Sequence, residues 1–110
     1  MLTSETRERA LARLGRALAD PTRCRILVAL LDGVVYPAQL AAELELSRSN
    51  VSNHLACLRG CGLVIATYEG RQVRYAIADP HLAHALAELT QVVLAVAPTD
   101  ACAGETQAAR

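Results

Sequence analysis

Apolar residues recur at helical spacing in four segments that lie before residue 61. Thr3 or Ser4 can cap the first helix, because a hydroxyl there accepts a hydrogen bond from the first helical turn. Asp20 and Pro21 predict the start of the second, with the aspartate as cap and the proline where no N–H donor is needed. Ser47 can cap the fourth. The predicted helices cover residues 4–19, 21–31, 37–44 and 48–60.

The pattern changes in the second half of the chain. Residues 63–68 and 72–78 are β-prone and flank Glu69-Gly70-Arg71, which predicts a β-hairpin with a short turn. A last helix is expected over residues 80–97. Its apolar residues alternate at spacings of four and three, typical of a helix that packs on the core of its own chain or on a partner helix. They are Leu82, Leu86, Leu89, Val93 and Val96.

The third and fourth helices are joined by a short polar turn, which is the spacing of a helix-turn-helix motif. On a helical wheel, Val51 and Leu55 of the fourth helix face the core. Ser49, Ser52 and Asn53 lie largely on the opposite side, where small polar groups suit base edges and phosphates. The fourth helix is therefore predicted to be the reader helix of a DNA-binding unit.

Positive charge supports this interpretation locally but not globally. Eleven arginines balance eleven acidic residues, so the whole chain carries no excess charge to attract nucleic acid. Arg48 at the start of the reader helix and Arg71 and Arg74 in the hairpin are placed to contact phosphates. A hairpin directly after a reader helix is the wing of a winged helix. On the residues alone, the alternative is an ordinary helical domain with polar surfaces.

Composition bears on the compartment and on assembly. The first ten residues are charged, and no apolar run approaches the roughly 20 residues that span a membrane. We therefore expect a cytoplasmic protein without a membrane partner, whose four cysteines are reduced. A domain over residues 1–97, followed by a mobile tail over 98–110, is small enough to gain stability as a homodimer through its first and last helices.

Two cysteines lie four residues apart near the end of the reader helix. Cys57 and Cys61 share one side of it with Asn50 and His54. Two thiolates rarely complete a metal site, and Cys102 in the tail is the candidate third ligand. Three thiolates suit Cd(II), Pb(II) or Hg(II), with Zn(II) as a further option. The alternative is a structural role, in which the pair are two small buried side chains in an alanine-rich helix.

The remaining candidate ligands have simpler interpretations. Cys24 is expected to be a buried core cysteine on the same stripe of the second helix as Leu27 and Val28, with an auxiliary ligand role as the alternative. His81 and His84 on the last helix are expected to be solvated rather than to form a second metal site.

Three stretches of the chain together resemble the ArsR/SmtB family of metal-sensing repressors. They read LADPTRCRILVALL, PAQLAAELELSRSNVSNHLACLRGCGLV and YEGRQVRYAI, in the family's order and spacing from about residue 18 to residue 77. The resemblance implies a winged-helix homodimer that binds an inverted-repeat operator, represses metal-resistance genes and is not an enzyme.

The resemblance also implies which metal site to expect. The family's Cys-x-Cys motif on the third helix is absent, because residues 39–43 contain no cysteine. Asp79 and His81 resemble half of a second family site, but its other half, near Val92 and Ala95, lacks ligands. One cadmium- and lead-sensing member uses two cysteines of the reader helix and one from the tail of the other subunit. Carried over to this chain, these ligands are Cys57, Cys61 and Cys102.

The family further implies that His54 contacts DNA or positions the reader helix, with a ligand role as the alternative. Metal binding beside the reader helix is then expected to release the operator. A repressor of the same fold that responds to oxidation of Cys57 and Cys61 to a disulfide is the alternative. The candidate DNA-binding residues are Arg48, Ser49, Asn50, Ser52, Asn53, His54, Arg71 and Arg74.

Overall fold

The computed structural model describes residues 3–92, which form five helices and one antiparallel hairpin. The helices are α1 (Ser4–Leu18), α2 (Pro21–Leu31), α3 (Pro37–Leu44), α4 (Arg48–Gly60) and α5 (Pro80–Leu89), and the strands are β1 (Val64–Glu69) and β2 (Gln72–Ile77). This order confirms the predicted winged helix-turn-helix, in which α3 and α4 form the helix-turn-helix and β1 and β2 form the wing.

Four of the five helices begin with a side-chain cap. The first helical turn of each donates a backbone N–H to the side chain of Thr3, Asp20, Ser47 or Asp79, over 3.1, 3.0, 3.0 and 2.6 Å respectively. These bonds satisfy N–H groups that have no partner within the helix. The helix starts therefore follow from local sequence, which explains why α1 to α4 agree with the predicted boundaries to within one residue.

The hydrophobic core lies around α2 and α4. The largest fully buried side chains are aliphatic and come from α2, α3, α4 and β1, and no polar side chain is buried among the described residues. Since the apolar side of α4 is fully engaged in this core, the orientation of the reader helix is set by packing. The fully buried residues are Ile26, Leu27, Leu40, Val51, Leu55, Leu58 and Val64.

Two arginines of α2 hold the ends of neighbouring helices. Arg23 donates from Nε to the carbonyl of Ala17 and from Nη2 to that of Arg16, each over 3.0 Å. Arg25 donates from Nη2 to the carbonyl of Leu44, the last residue of α3, over 2.8 Å. Both guanidinium groups thus bind carbonyls in the last turn of a helix, where the regular helical hydrogen bonds run out.

The wing is a six-residue ladder closed by a two-residue turn. Pairing runs from Val64 opposite Ile77 to Glu69 opposite Gln72. Glu69 therefore belongs to β1, and the predicted three-residue turn is corrected to Gly70 and Arg71. Gly70 has φ +62° and Arg71 has a negative φ, as in a type II′ turn, whose twist matches that of a hairpin.

The last helix is shorter than predicted. Helix α5 ends at Leu89, and Thr90 follows as its C-cap, where Oγ1 donates to the carbonyl of Ala87 over 2.6 Å. A hydroxyl that binds a preceding carbonyl competes with the helical backbone, and the β-branched Val92 adds little helical propensity. The expected continuation through Val93 and Val96, and the tail, lie outside the described residues.

The described part of α5 packs mainly on the core of its own chain. Leu86 is buried, Leu82 packs against the core, and Leu89 is 50% exposed. The apolar spacing allowed α5 to pack either on its own chain or on a partner helix. Leu82 and Leu86 pack within the chain, whereas Leu89 is left at the surface. None of the helices within residues 3–92 is both long and apolar enough to cross a membrane.

Candidate DNA-binding face and metal site

One side of α4 is polar and open to solvent. Ser49, Asn50, Ser52 and Asn53 are all exposed, whereas Val51 between them is fully buried. The hydroxyl of Ser47 caps the helix and accepts from the backbone N–H of Asn50 over 3.0 Å. The structure thus places four of the predicted DNA-binding residues on a single accessible helix face.

The turn between α3 and α4 holds this face in place. Glu45 adopts a left-handed conformation, with φ +56°, and the backbone N–H of Leu46 donates to the carbonyl of Ala41 over 2.9 Å. The hydrogen bond from Arg25 to Leu44 joins the same turn to α2. Reader helix and supporting helices are therefore connected by hydrogen bonds as well as by the shared core.

The cysteine pair lies at the C-terminal end of α4. Cys61 is the C-cap residue, and its backbone N–H donates to the carbonyl of Cys57 over 3.0 Å. The helical register is kept across the pair, so both side chains leave the same side of α4 one turn apart. Cys57 is exposed and Cys61 is half-buried. The C-terminal end of a helix favours a cation, which suits a metal bound by these two thiols.

Cys61 also faces α1. It lines a hollow of about 280 Å³ together with Leu11 and Leu14 of α1 and Leu82 of α5. A ligand held by Cys61 would therefore lie beside α1 as well as beside the reader helix. Within residues 3–92 no three His, Cys, Asp or Glu side chains are grouped so that they could hold a metal ion. The third predicted ligand, Cys102, lies outside the described residues.

Comparisons with known proteins show the family of this chain. The model of the arsR family of bacterial regulatory proteins matches residues 20–66. The HTH-type transcriptional regulator CmtR of Mycobacterium tuberculosis is 78% identical over 108 residues, which cover 98% of this chain and 92% of that protein. The chain belongs to the ArsR family. Family and fold together make it a DNA-binding transcriptional regulator, as the sequence predicted.

Solved structures agree with the assignment to the ArsR family. The NMR structure of the cadmium metal-sensor CmtR from Mycobacterium tuberculosis has a TM-score of 0.67 and 79% identity, covering 86% of this chain and 99% of that one. A homodimeric winged helix-turn-helix domain from Mycobacterium bovis, Mb0332, has a TM-score of 0.72 and 28% identity over 81% of this chain and 84% of that one.

A more distant relative of this ArsR-family chain is described as a probable mercury resistance operon repressor, from Streptomyces lividans. It is 43% identical over 72 residues, which cover 66% of this chain and 58% of that protein. This relative and the cadmium sensor are both named for metals, so neither supports the thiol-redox alternative.

Cys24 does not occupy the predicted place in the core of the ArsR-family fold. It is only half-buried, and its neighbour Val28 on the same stripe is 42% exposed. Its Sγ donates to the carbonyl of Leu18 over 3.1 Å. Burial, followed by the nearby Asp20 carboxylate, raises the pKa of the Cys24 thiol. The prediction for Cys24 is wrong because Cys24 and Val28 line an open hollow between α2 and α3 rather than a packed layer.

The residues that resemble half of a second family site have structural or exposed positions. Asp79 caps α5 by accepting from the backbone N–H of His81 over 2.6 Å, which occupies one carboxylate oxygen. His81 and His84 are both exposed, as predicted. In the described part of the ArsR-family chain, these side chains form no group that could hold a metal ion.

His54 lies towards the junction of α1 and α2. It is half-buried, unlike the exposed polar residues of α4, and its charge helps to lower the pKa of the Asp20 carboxyl. This position favours the helix-positioning interpretation of His54 over the DNA contact.

Sequence reasoning missed a contact between the wing and the start of α3. The hydroxyl of Tyr36 donates to Glu69 Oε1 over 2.8 Å, and Arg74 lies 3.9 Å from the same carboxylate. In addition, the backbone N–H of Tyr75 donates to the carbonyl of Val35 over 2.9 Å. No sequence pattern signals these pairs, since the partners of the side-chain bond are 33 residues apart.

Proposed function

We propose that this chain is a homodimeric repressor that binds an inverted-repeat DNA operator and releases it when Cd(II) binds Cys57, Cys61 and Cys102. Residues 1–97 would form the DNA-binding and dimerisation domain, and residues 98–110 would supply the third thiolate. Pb(II) is the second candidate effector, and Zn(II) and Hg(II) are weaker candidates that the same thiolates would bind.

The observation that carries this proposal is the position of the cysteine pair on α4. The two thiols leave the helix one turn apart, and Cys57 is open to solvent. The helix that bears them also carries the exposed polar face from Ser49 to Asn53. A metal ion at the pair is thus attached to the same rigid element that is proposed to read DNA.

The relatives support the choice of metal. A cadmium sensor is 79% identical to this chain, and a probable mercury resistance operon repressor is 43% identical over 72 residues. Cadmium, mercury and lead all prefer thiolate ligands, which agrees with the cysteine donors here. Thiolates must form before they bind a metal, so the affinity for Cd(II) should rise with pH.

The proposed dimer agrees with apolar side chains that the single chain leaves open. Leu11 of α1 is 68% exposed, and Leu89 and Val92 at the end of the described residues are 50% and 55% exposed. A twofold dimer through the first and last helices would cover them and present two reader helices to successive major grooves. The homodimeric relative from Mycobacterium bovis supports this assembly.

The proposed mechanism is a coupling between two sites that share α4. Binding of metal by Cys57 and Cys61 recruits Cys102, which attaches the tail to the reader helix and changes its orientation or covers its face. Metal and DNA then oppose each other through one reciprocal coupling free energy. A coupling of about 1–3 kcal/mol corresponds to about a 5- to 150-fold loss of operator affinity.

The test starts from DNA that the reduced protein itself selects from a random-sequence duplex library. Affinity for that duplex is measured by fluorescence anisotropy at fixed salt, with and without one equivalent of CdCl2 per subunit. We expect a loss of affinity within the range above and a thiolate-to-cadmium absorption band that saturates at one equivalent. An affinity that CdCl2 leaves unchanged would refute the metal response.

Matched variants separate the ligands from the other thiol. Cys57→Ser, Cys61→Ser and Cys102→Ser should each keep operator binding and lose most of the response to Cd(II). Cys24→Ser is the control, because its thiol binds the Leu18 carbonyl, and it should respond as the wild type does. If Cys102→Ser retained the full response, the tail would not supply a ligand.

A further inference from the structure

A cleft with two arginines lies between the turn of the wing and the start of α3. It measures about 340 Å³, and its walls include Tyr36, Arg48, Arg71 and Gln72. Arg48 and Arg71 are exposed, and no carboxylate of residues 3–92 lies within 4.0 Å of either guanidinium group. The cleft therefore carries two positive charges that nothing in the described chain compensates.

The third arginine predicted to contact phosphate, Arg74 on β2, is in a different state. Arg74 lies 3.9 Å from the carboxylate of Glu69, which also accepts the hydroxyl hydrogen bond of Tyr36. The pair adds no net charge to the surface, because Glu69 balances Arg74. The hydrogen bond to Glu69 also raises the pKa of Tyr36, as expected for a phenol that donates to a carboxylate.

This group connects the wing to the helix-turn-helix. Tyr36 directly precedes α3, whereas Glu69 and Arg74 lie on the two strands of the wing. Together with the hydrogen bond from Tyr75 to Val35, it attaches the hairpin at two levels to the segment that leads into α3. The side-chain contact is the one nearer the turn, where a free hairpin would move most.

We propose that Arg48 and Arg71 bind DNA backbone phosphates in this cleft, and that Arg74 is a positioning residue that holds the wing against α3 through Glu69 and Tyr36. The inference rests on the proposed DNA binding and divides the three arginines, which the sequence treated alike, into two roles. A guanidinium group is suited to phosphate because its planar array of donors matches two phosphate oxygens.

Salt dependence separates the two roles. The slope of log affinity against log salt concentration falls by about 0.9 for each phosphate that the protein no longer neutralises, hence by about 1.8 for the two copies in a dimer. In anisotropy titrations on the selected duplex from about 50 to 200 mM salt, Arg48→Ala and Arg71→Ala should each lower the slope by that amount. Arg71→Lys keeps the charge and should keep the slope.

The positioning residues should behave differently. Arg74→Ala and Tyr36→Phe should weaken operator binding about three- to tenfold and leave the salt slope unchanged, since each phosphate keeps its arginine. Combining Tyr36→Phe with Arg74→Ala should cost less than the sum of the two single losses, because both side chains act on the wing through the Glu69 carboxylate. Arg9→Ala, on exposed α1, is the charge-matched control and should change neither quantity.

Three results would overturn this assignment. A salt slope that Arg74→Ala lowers as much as Arg71→Ala would make Arg74 a phosphate ligand. A slope unchanged in Arg48→Ala or Arg71→Ala would remove that residue from the phosphate site. Additive losses for Tyr36→Phe and Arg74→Ala would exclude a shared contact through Glu69. If the wild type selected no duplex at all, the proposed function itself would fail, and the inference with it.

Discussion

Arg23 joins the end of α1 to the start of α2, and the contacts of its side chain allow the effect of its removal to be estimated. Its side chain is 19% exposed and donates to two carbonyls over 3.0 Å. A hydrogen bond from a charged group contributes about 1.5–3 kcal/mol, and less at the exposed Arg16 carbonyl. The ion pair with Asp20, at 3.8 Å, adds about 0.2–1 kcal/mol. Arg23→Ala should therefore lower the free energy of unfolding by about 2–4 kcal/mol.

The assay is urea unfolding followed by far-ultraviolet circular dichroism, at one protein concentration because the proposed dimer makes stability concentration-dependent. For a slope of about 1–3 kcal/mol per molar urea, a loss of about 3 kcal/mol lowers the midpoint by about 1–3 M. The urea midpoint of Arg23→Lys should lie between those of the wild type and Arg23→Ala, since an ammonium group lacks the planar array that reaches both carbonyls.

Arg9→Ala is the matched control for this prediction. Arg9 pairs with Glu5 at 3.4 Å, but both side chains are 78% exposed, so its removal should cost no more than about 0.5 kcal/mol. If Arg23→Ala unfolded at the same urea concentration as Arg9→Ala, the guanidinium group would not hold the end of α1, and the estimate would be refuted.

Three further outcomes are expected. Cys24 should react with iodoacetamide more slowly than Cys57, since burial shields it and raises its pKa, and peptide mass spectrometry that found equal rates would contradict this. The backbone N–H of Arg23, followed by the charges of Arg23 and His54, outweighs desolvation and lowers the pKa of Asp20. The ionised Asp20 carboxylate therefore stabilises the folded protein above pH about 4, and this contribution is lost as pH falls through the lowered pKa. Asp20→Asn, which keeps a capping oxygen, should thus be less stable than the wild type near pH 6, with the gap in urea midpoint closing in acid; a gap independent of pH would speak against it. Gly70→Ala should cost about 1–2 kcal/mol because of the φ of +62°, with no steric contact to add to it, and Gly70→Asn should cost less; equal melting temperatures for the two would argue that the turn relaxes.

Much of the fold was predictable because its signals are local. A capping aspartate or serine, a proline at the first helical position and an apolar stripe act within one or two turns, and they located α1 to α4. The same periodicity separated the buried side of α4 from the polar one, and placed Cys57 and Cys61 on a common side.

The predictions are wrong where the structure depends on whether a distant part of the chain packs against the residue concerned. Helix α5 ends at Leu89 although apolar residues continue along the chain. The predicted end is wrong because apolar periodicity does not reveal where a helix has no further part of its own chain to pack on. Cys24 was expected in the core, yet its stripe lies over a hollow at the edge of α2 and α3. The apolar pattern predicts which side of a helix faces the core, but not how completely that side is buried.

The amino-acid sequence by itself determined the helices, the wing, the reader face and the family, since each depends on neighbouring residues or on a pattern read along the chain. Only the tertiary structure decided what the arginines do. Arg25 binds a carbonyl 19 residues away, and Arg74 pairs with a carboxylate that Tyr36 also holds, whereas Arg48 and Arg71 share an open cleft. A long, charged side chain takes whichever acceptor the packed elements bring within its reach, and that choice is made by contacts through space.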